Sequence, residues 1–188
     1  ALTEETDGYG QTITYELDSL GRMSSRTYAG AKTNYSYEIV EKTLPDTSTV
    51  MVSRTTATHG PDVPEDTYVT STETALDGLT QWSINDGVEV KTEITRDVAN
   101  VQATTKTTYG DGSYSIVLKH YGVIISENYF RQDGQKLDGV EYRYNERGQL
   151  IEIIDARNGS TTLEYDDLGR TISQTTPDPD SQSTQSGD

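Results

Sequence analysis

The chain has 188 residues, only 31% of them hydrophobic, and a formal charge of −16, which argues against a deep dry core and against nucleic-acid or anionic-membrane partners. It has no cysteine and hence no disulfide, although many bacterial surface proteins share that lack. No apolar run approaches the ~18 residues of a membrane span, no signal peptide is present, and a start at Ala1 suggests a processed product or an excised fragment.

Tyr and Thr dominate where a globular core would use Phe and Leu: there are 13 Tyr against one Phe and one Trp. Both tolerate a strand with one wet face. Helical spacing of apolar residues is almost absent, and Asp-Gly or Asn-Gly dipeptides punctuate the chain at residues 7–8, 77–78, 86–87, 111–112, 133–134, 138–139 and 158–159. Such dipeptides supply the positive φ angles of tight hairpin turns. Short alternating segments lie between them, so the pattern predicts an all-β chain of consecutive antiparallel β-hairpins.

In chain order, residues 1–44 read as N-terminal hairpins, with a corner at Leu17-Asp18-Ser19-Leu20-Gly21-Arg22-Met23. Residues 45–66, with Pro45, Pro61 and Pro64, read as a loop or linker, with a hairpin around Val50 to Val52 as the other reading. Residues 67–128 read as diverged Thr-rich strands, among which Val123-Ile124-Ile125 is apolar on both faces and is expected to be the best buried. Residues 129–176 carry two close copies of one motif, Tyr144-Asn145-Glu146-Arg147-Gly148-Gln149-Leu150 and Tyr165-Asp166-Asp167-Leu168-Gly169-Arg170-Thr171, with a degenerate copy at 130–137. Residues 177–188 read as a flexible acidic and polar tail.

The motif has a physical reading. The aromatic ends a strand, the Asp or Asn accepts from backbone amides a few residues on, the Gly takes the left-handed position, and the Arg or Gln opens the returning strand. The structural set is therefore Asp18, Gly21 and Arg22; Tyr144, Asn145 and Gly148; and Tyr165, Asp166, Gly169 and Arg170.

These residues resemble the Rhs or YD-repeat family. The resemblance implies a secreted or cell-surface protein, bacterial by the family's main distribution, whose hairpins build an elongated twisted sheet or a partial YD-repeat shell. It also implies roles as shell, adhesin or fibre scaffold, and carbohydrate binding in some relatives. The family's self-cleavage motif is not matched, because Asp178-Pro179 is followed by Asp180-Ser181.

Catalytic residues are not expected. The chain lacks a Cys nucleophile and a Gly-x-Ser-x-Gly elbow, and its histidines, His59 and His120, have no ligand spacing. The adjacent Asp166 and Asp167 read as a turn residue and a solvated one. No cofactor is expected beyond weak calcium binding by turn acids such as Asp111, Asp133, Asp138, Asp178 and Asp180. Expected partners are neighbouring repeats or other copies, joined through edge strands with unpaired backbone groups. The alternative function is binding of a neutral glycan on a platform of Trp82, Tyr109, Tyr114, Tyr121 and Tyr129, for which cross-strand packing is the competing role.

Overall fold

A computed structural model describes residues 3–60 and 68–177. Among these there is no helix, and every strand runs antiparallel to the strand it pairs with. The chain divides into two units, residues 1–93 and 94–188.

The first unit holds β1 (Glu4–Thr6), β2 (Thr12–Leu17), β3 (Met23–Tyr28), β4 (Ala31–Thr43), β5 (Thr49–His59), β6 (Tyr68–Ala75), β7 (Thr80–Asn85) and the start of β8 (Val88–Asp97). Each pairs with its chain neighbour in sequence order. The second unit orders β9 (Gln102–Thr108), β10 (Tyr114–His120), β11 (Val123–Phe130), β12 (Lys136–Tyr144), β13 (Leu150–Asp155), β14 (Gly159–Tyr165) and β15 (Thr171–Thr175) in the same way. The consecutive hairpins expected from the turn spacing are thus the architecture of both units.

Two turn designs recur between these strands. Ala29-Gly30, Asp86-Gly87 and Tyr121-Gly122 are two-residue turns with both residues at positive φ (48° and 82°, 48° and 76°, 49° and 82°), the type I′ geometry that matches strand twist. The longer design is a five-residue corner closed by two backbone bonds. The first amide donates to the fifth carbonyl, and the fourth amide donates to the first carbonyl. Corners starting at Asp7, Asp18, Leu44, Tyr109, Arg131, Asn145 and Asp166 all have this form. The fourth residue always has positive φ and is Gly except at Thr47, where φ is 68°.

The segment 45–66 differs from the loop or linker reading. It contains Thr49–His59, all of it a strand paired residue by residue with β4. Pro45 sits in the preceding corner, where it needs no ladder partner, while Pro61 and Pro64 lie outside the described residues. The expectation of greatest burial also moves. Val123 is 43% exposed, and the buried cluster is Val52, Ala75 and Trp82, with Val40, Leu44 and Val50 packed against it. Three apolar residues in a row put one side chain on the open face of a strand, whereas alternation along β5 and β7 delivers single apolar residues to one shared face. Asp138-Gly139 is not a turn either. Both residues lie within β12, and a Cβ at 139 would stand 2.4 Å from Asn128 Oδ1 on the paired strand, so this Gly makes room rather than a bend.

Candidate functional site

The corners are where the repeat motif does its work. Asp18 Oδ1 accepts from the Leu20 and Arg22 amides, both at 2.9 Å, while its Oδ2 meets Arg22 Nε at 2.7 Å. Asp166 repeats this arrangement with Leu168 N (3.0 Å), Arg170 N (2.8 Å) and Arg170 Nε (2.7 Å). The fifth-residue amide is the largest influence on each carboxyl and holds both below their ordinary value. Asn145 does the same job without charge. Its Oδ1 accepts from Arg147 N and Gln149 N at 3.0 Å each, and its Nδ2 donates to Gln149 Oε1 at 2.8 Å. Gln thus replaces Arg where Asn replaces Asp.

Sequence reading missed one corner. In Asp7-Gly8-Tyr9-Gly10-Gln11 the Asp7 carboxylate accepts from Tyr9 N and Gln11 N, and its second oxygen accepts from the Tyr28 hydroxyl at 2.8 Å. The signal was present, since Asp, Gly and Gln fall at the spacing of Asn145, Gly148 and Gln149. The Asp7-Gly8 dipeptide drew attention to the wrong glycine: the positive φ is at Gly10. A second corner chemistry puts the acid third. Asp46, Asp111 and Asp133 each accept from the amide two residues on (Ser48, Ser113 and Gln135) at 2.9–3.0 Å.

The repeat tyrosines bind one strand back. Tyr165 Oη donates to Leu150 O at 2.7 Å, and Tyr144 Oη donates to Ile124 O at 2.9 Å. In the first unit Tyr37 Oη donates to Met23 O at 2.8 Å, with the Arg22 guanidinium 4.4 Å from the centre of its ring. In all three cases the tyrosine stands three residues beyond the last registered pair with the strand before (Glu152–Thr162, Ser126–Glu141 and Ser25–Asn34), and its hydroxyl reaches the carbonyl two residues before the partner in that pair. Arg147 and Gln149 also cross to the following corner, donating to Asp167 O (3.3 Å) and Gly169 O (3.4 Å).

The glycan platform is not assembled as expected. Trp82 is 3% exposed, in the apolar cluster, with the ammoniums of Lys42 and Lys91 at 5.0 and 5.9 Å from its ring centre. Its indole is therefore a packing surface, because alternation on β7 turns it to the shared buried face. Tyr114 is stacked on Phe130 (4.9 Å, 14°) and covered by Lys106 Nζ at 4.4 Å. Tyr109, Tyr121 and Tyr129 are exposed, but Tyr109 and Tyr121 sit in the turns at opposite ends of β10. Asp111 and Asp133 are engaged in their corners, Asp138 faces Arg157 Nε at 3.2 Å, and Asp178 and Asp180 lie outside the described residues. Among the described residues no group of three or more His or acidic side chains is placed to hold a metal ion. His59 bridges Thr33 and Thr70 across three strands, and His120 packs on Tyr121.

Beside Trp82 lies one buried ionic centre. Glu73, 2% exposed, has Arg54 Nε at 2.7 Å and Lys42 Nζ at 2.7 Å, and these cations also reach Glu38 (2.9 Å) and Glu89 (2.9 Å). The Lys42 contact is an ion pair rather than a well-aligned hydrogen bond, since Glu73 Oε2 has no aligned donor. Burial, the largest influence, pushes the Glu73 carboxyl up, but Lys42 and Arg54 together outweigh it and leave it below its ordinary value.

No curated protein matches the chain. Solved structures resemble it at low identity. One is a crystal structure of TcdB2-TccC3-Cdc42 (13% identity, TM-score 0.34, covering 88% of this chain and 13% of that one). Another is the Tc holotoxin pore of Photorhabdus luminescens (13% identity, TM-score 0.34, covering 93% and 13%). A third is TcdB2-TccC3 without its hypervariable C-terminal region (10% identity, TM-score 0.22, covering 93% and 14%). The chain thus spans 13–14% of the length of these structures. The family model described as RHS Repeat matches residues 144–181, the stretch that holds the Tyr144 and Tyr165 corners.

Proposed function

We propose that this chain is a non-catalytic length of hairpin wall in an extracytoplasmic assembly, a structural module continued at its edges by further repeats or by other copies. One observation carries the reading: each repeat is completed by the next. Tyr165 of one corner bonds the strand that leaves the previous corner, and Arg147 and Gln149 of that previous corner reach forward to Asp167 and Gly169. A catalytic centre gathers polar groups in one cleft. Here they are distributed along the chain at corner after corner, and their partners lie in the same corner or on the backbone of the adjacent repeat. The placement outside the cytoplasm follows the resemblance of the corner motif to its family.

Two strands end the pairing order among the described residues, β1 in the first unit and β15 in the second. A wall module uses such edges for strand addition. Analytical ultracentrifugation of the purified chain tests this. Concentration-dependent association is expected, and Gln174→Pro on β15 should weaken it by removing a donor from the open edge. A chain that stays monomeric at millimolar concentration, with β15 amides as protected from exchange as those of β14, would remove the edge-joining reading.

A further inference from the structure

The corners at Asp18 and Asp166 are near copies in sequence and geometry, yet their surroundings differ. Glu16, Asp18, Leu20, Gly21, Arg22, Ser25 and Thr27 have identical counterparts in Glu164, Asp166, Leu168, Gly169, Arg170, Ser173 and Thr175. Both acids are 23% exposed and both pair with their arginine at 2.7 Å. The arginines differ: Arg22 is 45% exposed and Arg170 is 74% exposed. Ser25 is 3% exposed, while Ser173 is only half-buried and its neighbour Ile172 is 64% exposed.

The difference is the next strand. On the Asp18 corner, β4 lies against β3 and brings Tyr37 under the Arg22 guanidinium, with the hydroxyl on Met23 O. Five residues earlier the same strand brings Lys32, whose Nζ meets Glu16 Oε2 at 3.2 Å. On the Asp166 corner Glu164 and Arg170 hold the corresponding positions, Thr171 stands where Met23 stands, and among the described residues no ring covers Arg170.

We infer that the β15 edge is a socket for a strand of a further hairpin repeat that carries Lys and Tyr five residues apart. The tyrosine ring lies against Arg170, its hydroxyl donates to Thr171 O, and the lysine pairs with Glu164. The tyrosines at 37, 144 and 165 establish the register, since each stands three residues beyond the last registered pair and binds the carbonyl two residues before the partner in that pair. Residues 178–188 contain neither Lys nor Tyr, so the strand comes from elsewhere. This rests on the wall reading and adds to it a rule for which strand is accepted.

The test uses the whole ¹⁵N-labelled chain and a peptide with the sequence of residues 31–38 (AKTNYSYE), the strand that fills the equivalent place on the Asp18 corner. At millimolar peptide, shifts are expected at the amides of residues 171–175 and at Arg170 Nε–H. A peptide with Tyr37→Phe should bind about fivefold more weakly, the worth of one net hydrogen bond. Arg170→Ala in the chain should weaken the Tyr peptide while the corner amides keep their positions. Equal binding of the Tyr and Phe peptides would overturn the socket and leave strand addition standing. No shift at β15 with any peptide would also overturn it, whatever the ultracentrifuge shows for the wall.

Discussion

Among the described residues the first unit holds all the buried hydrophobic side chains, Ile13, Val52, Ala75 and Trp82, whereas the buried residues of the second unit are Ser115 and Gly139. The contrast runs opposite to the regularity of the sequence. The RHS Repeat match and the best-formed motifs fall in the second unit, and β4–β7 of the first, where no clear copy of the motif lies, build the core. A repeat that is completed by its neighbour needs little burial of its own, because corner bonds and the tyrosine hydroxyl fix its geometry. Where the motif decays, as at 44–48 with Thr47 in the glycine place, longer strands and an apolar cluster take over.

The largest effect that would sharpen this contrast is at Trp82. Trp82→Ala should cost about 3–5 kcal/mol, the range for emptying a packed aromatic site. Chemical denaturation followed by hydrogen exchange should show the loss in β4–β7 and not in β12–β15. Uniform loss across both units would break the distinction. Next in size is Glu73→Ala, expected to cost about 3 kcal/mol because Lys42 and Arg54 lose the acid that justifies their partial burial. Glu73→Gln should recover part of this by keeping a hydrogen-bond acceptor, and equal losses for Ala and Gln would show that the charge on Glu73, not hydrogen-bond acceptance, carries the effect.

Much of this was legible in the residues. Asp-Gly spacing and alternation gave the hairpins, and the side chains of the Asp18, Asn145 and Asp166 corners take the roles their chemistry implied. What stayed hidden shares a cause: local signals do not say which face or which neighbour a strand meets. Trp82 reads as either a cross-strand packing residue or a platform residue until β6 and β8 are placed beside it. Asp138-Gly139 reads as a turn until Asn128 is seen to need the space. Tyr37 lacks the following Asp of the motif, so nothing local marks it as the partner of Arg22 and Met23, although it performs the same clamp as Tyr165. The long strand at 49–59 was obscured by prolines that lie beyond its ends.

A smaller effect should appear in the second unit. Tyr165→Phe keeps the ring and removes one hydroxyl bond to Leu150 O, at a cost of about 1 kcal/mol. Lacking a buried cluster to compensate, β13–β15 should lose exchange protection, while the first unit keeps its own. A Phe variant with unchanged protection would show that the ring alone holds the repeats.

The smallest effect separates charged from neutral corners within one unit. The Asp166 carboxyl titrates below its ordinary 3.8, held there first by the Arg170 amide and then by the Arg170 side chain. Its folded value is lower than its unfolded one, so its stabilisation is complete above about pH 4 and is lost as pH falls through the folded value. The Asn145 corner binds the corresponding amides with a neutral oxygen and has no such loss. Exchange protection at Leu168 and Arg170, corrected for intrinsic rates, should therefore fall in acid while that at Arg147 and Gln149 holds. Asp166→Asn should flatten the first response without abolishing the corner, because the Asn145 corner already forms with that side chain. If the two corners instead lost protection together in acid, the charge on Asp166 would not be what distinguishes them, and unfolding of the whole unit would be the simpler cause.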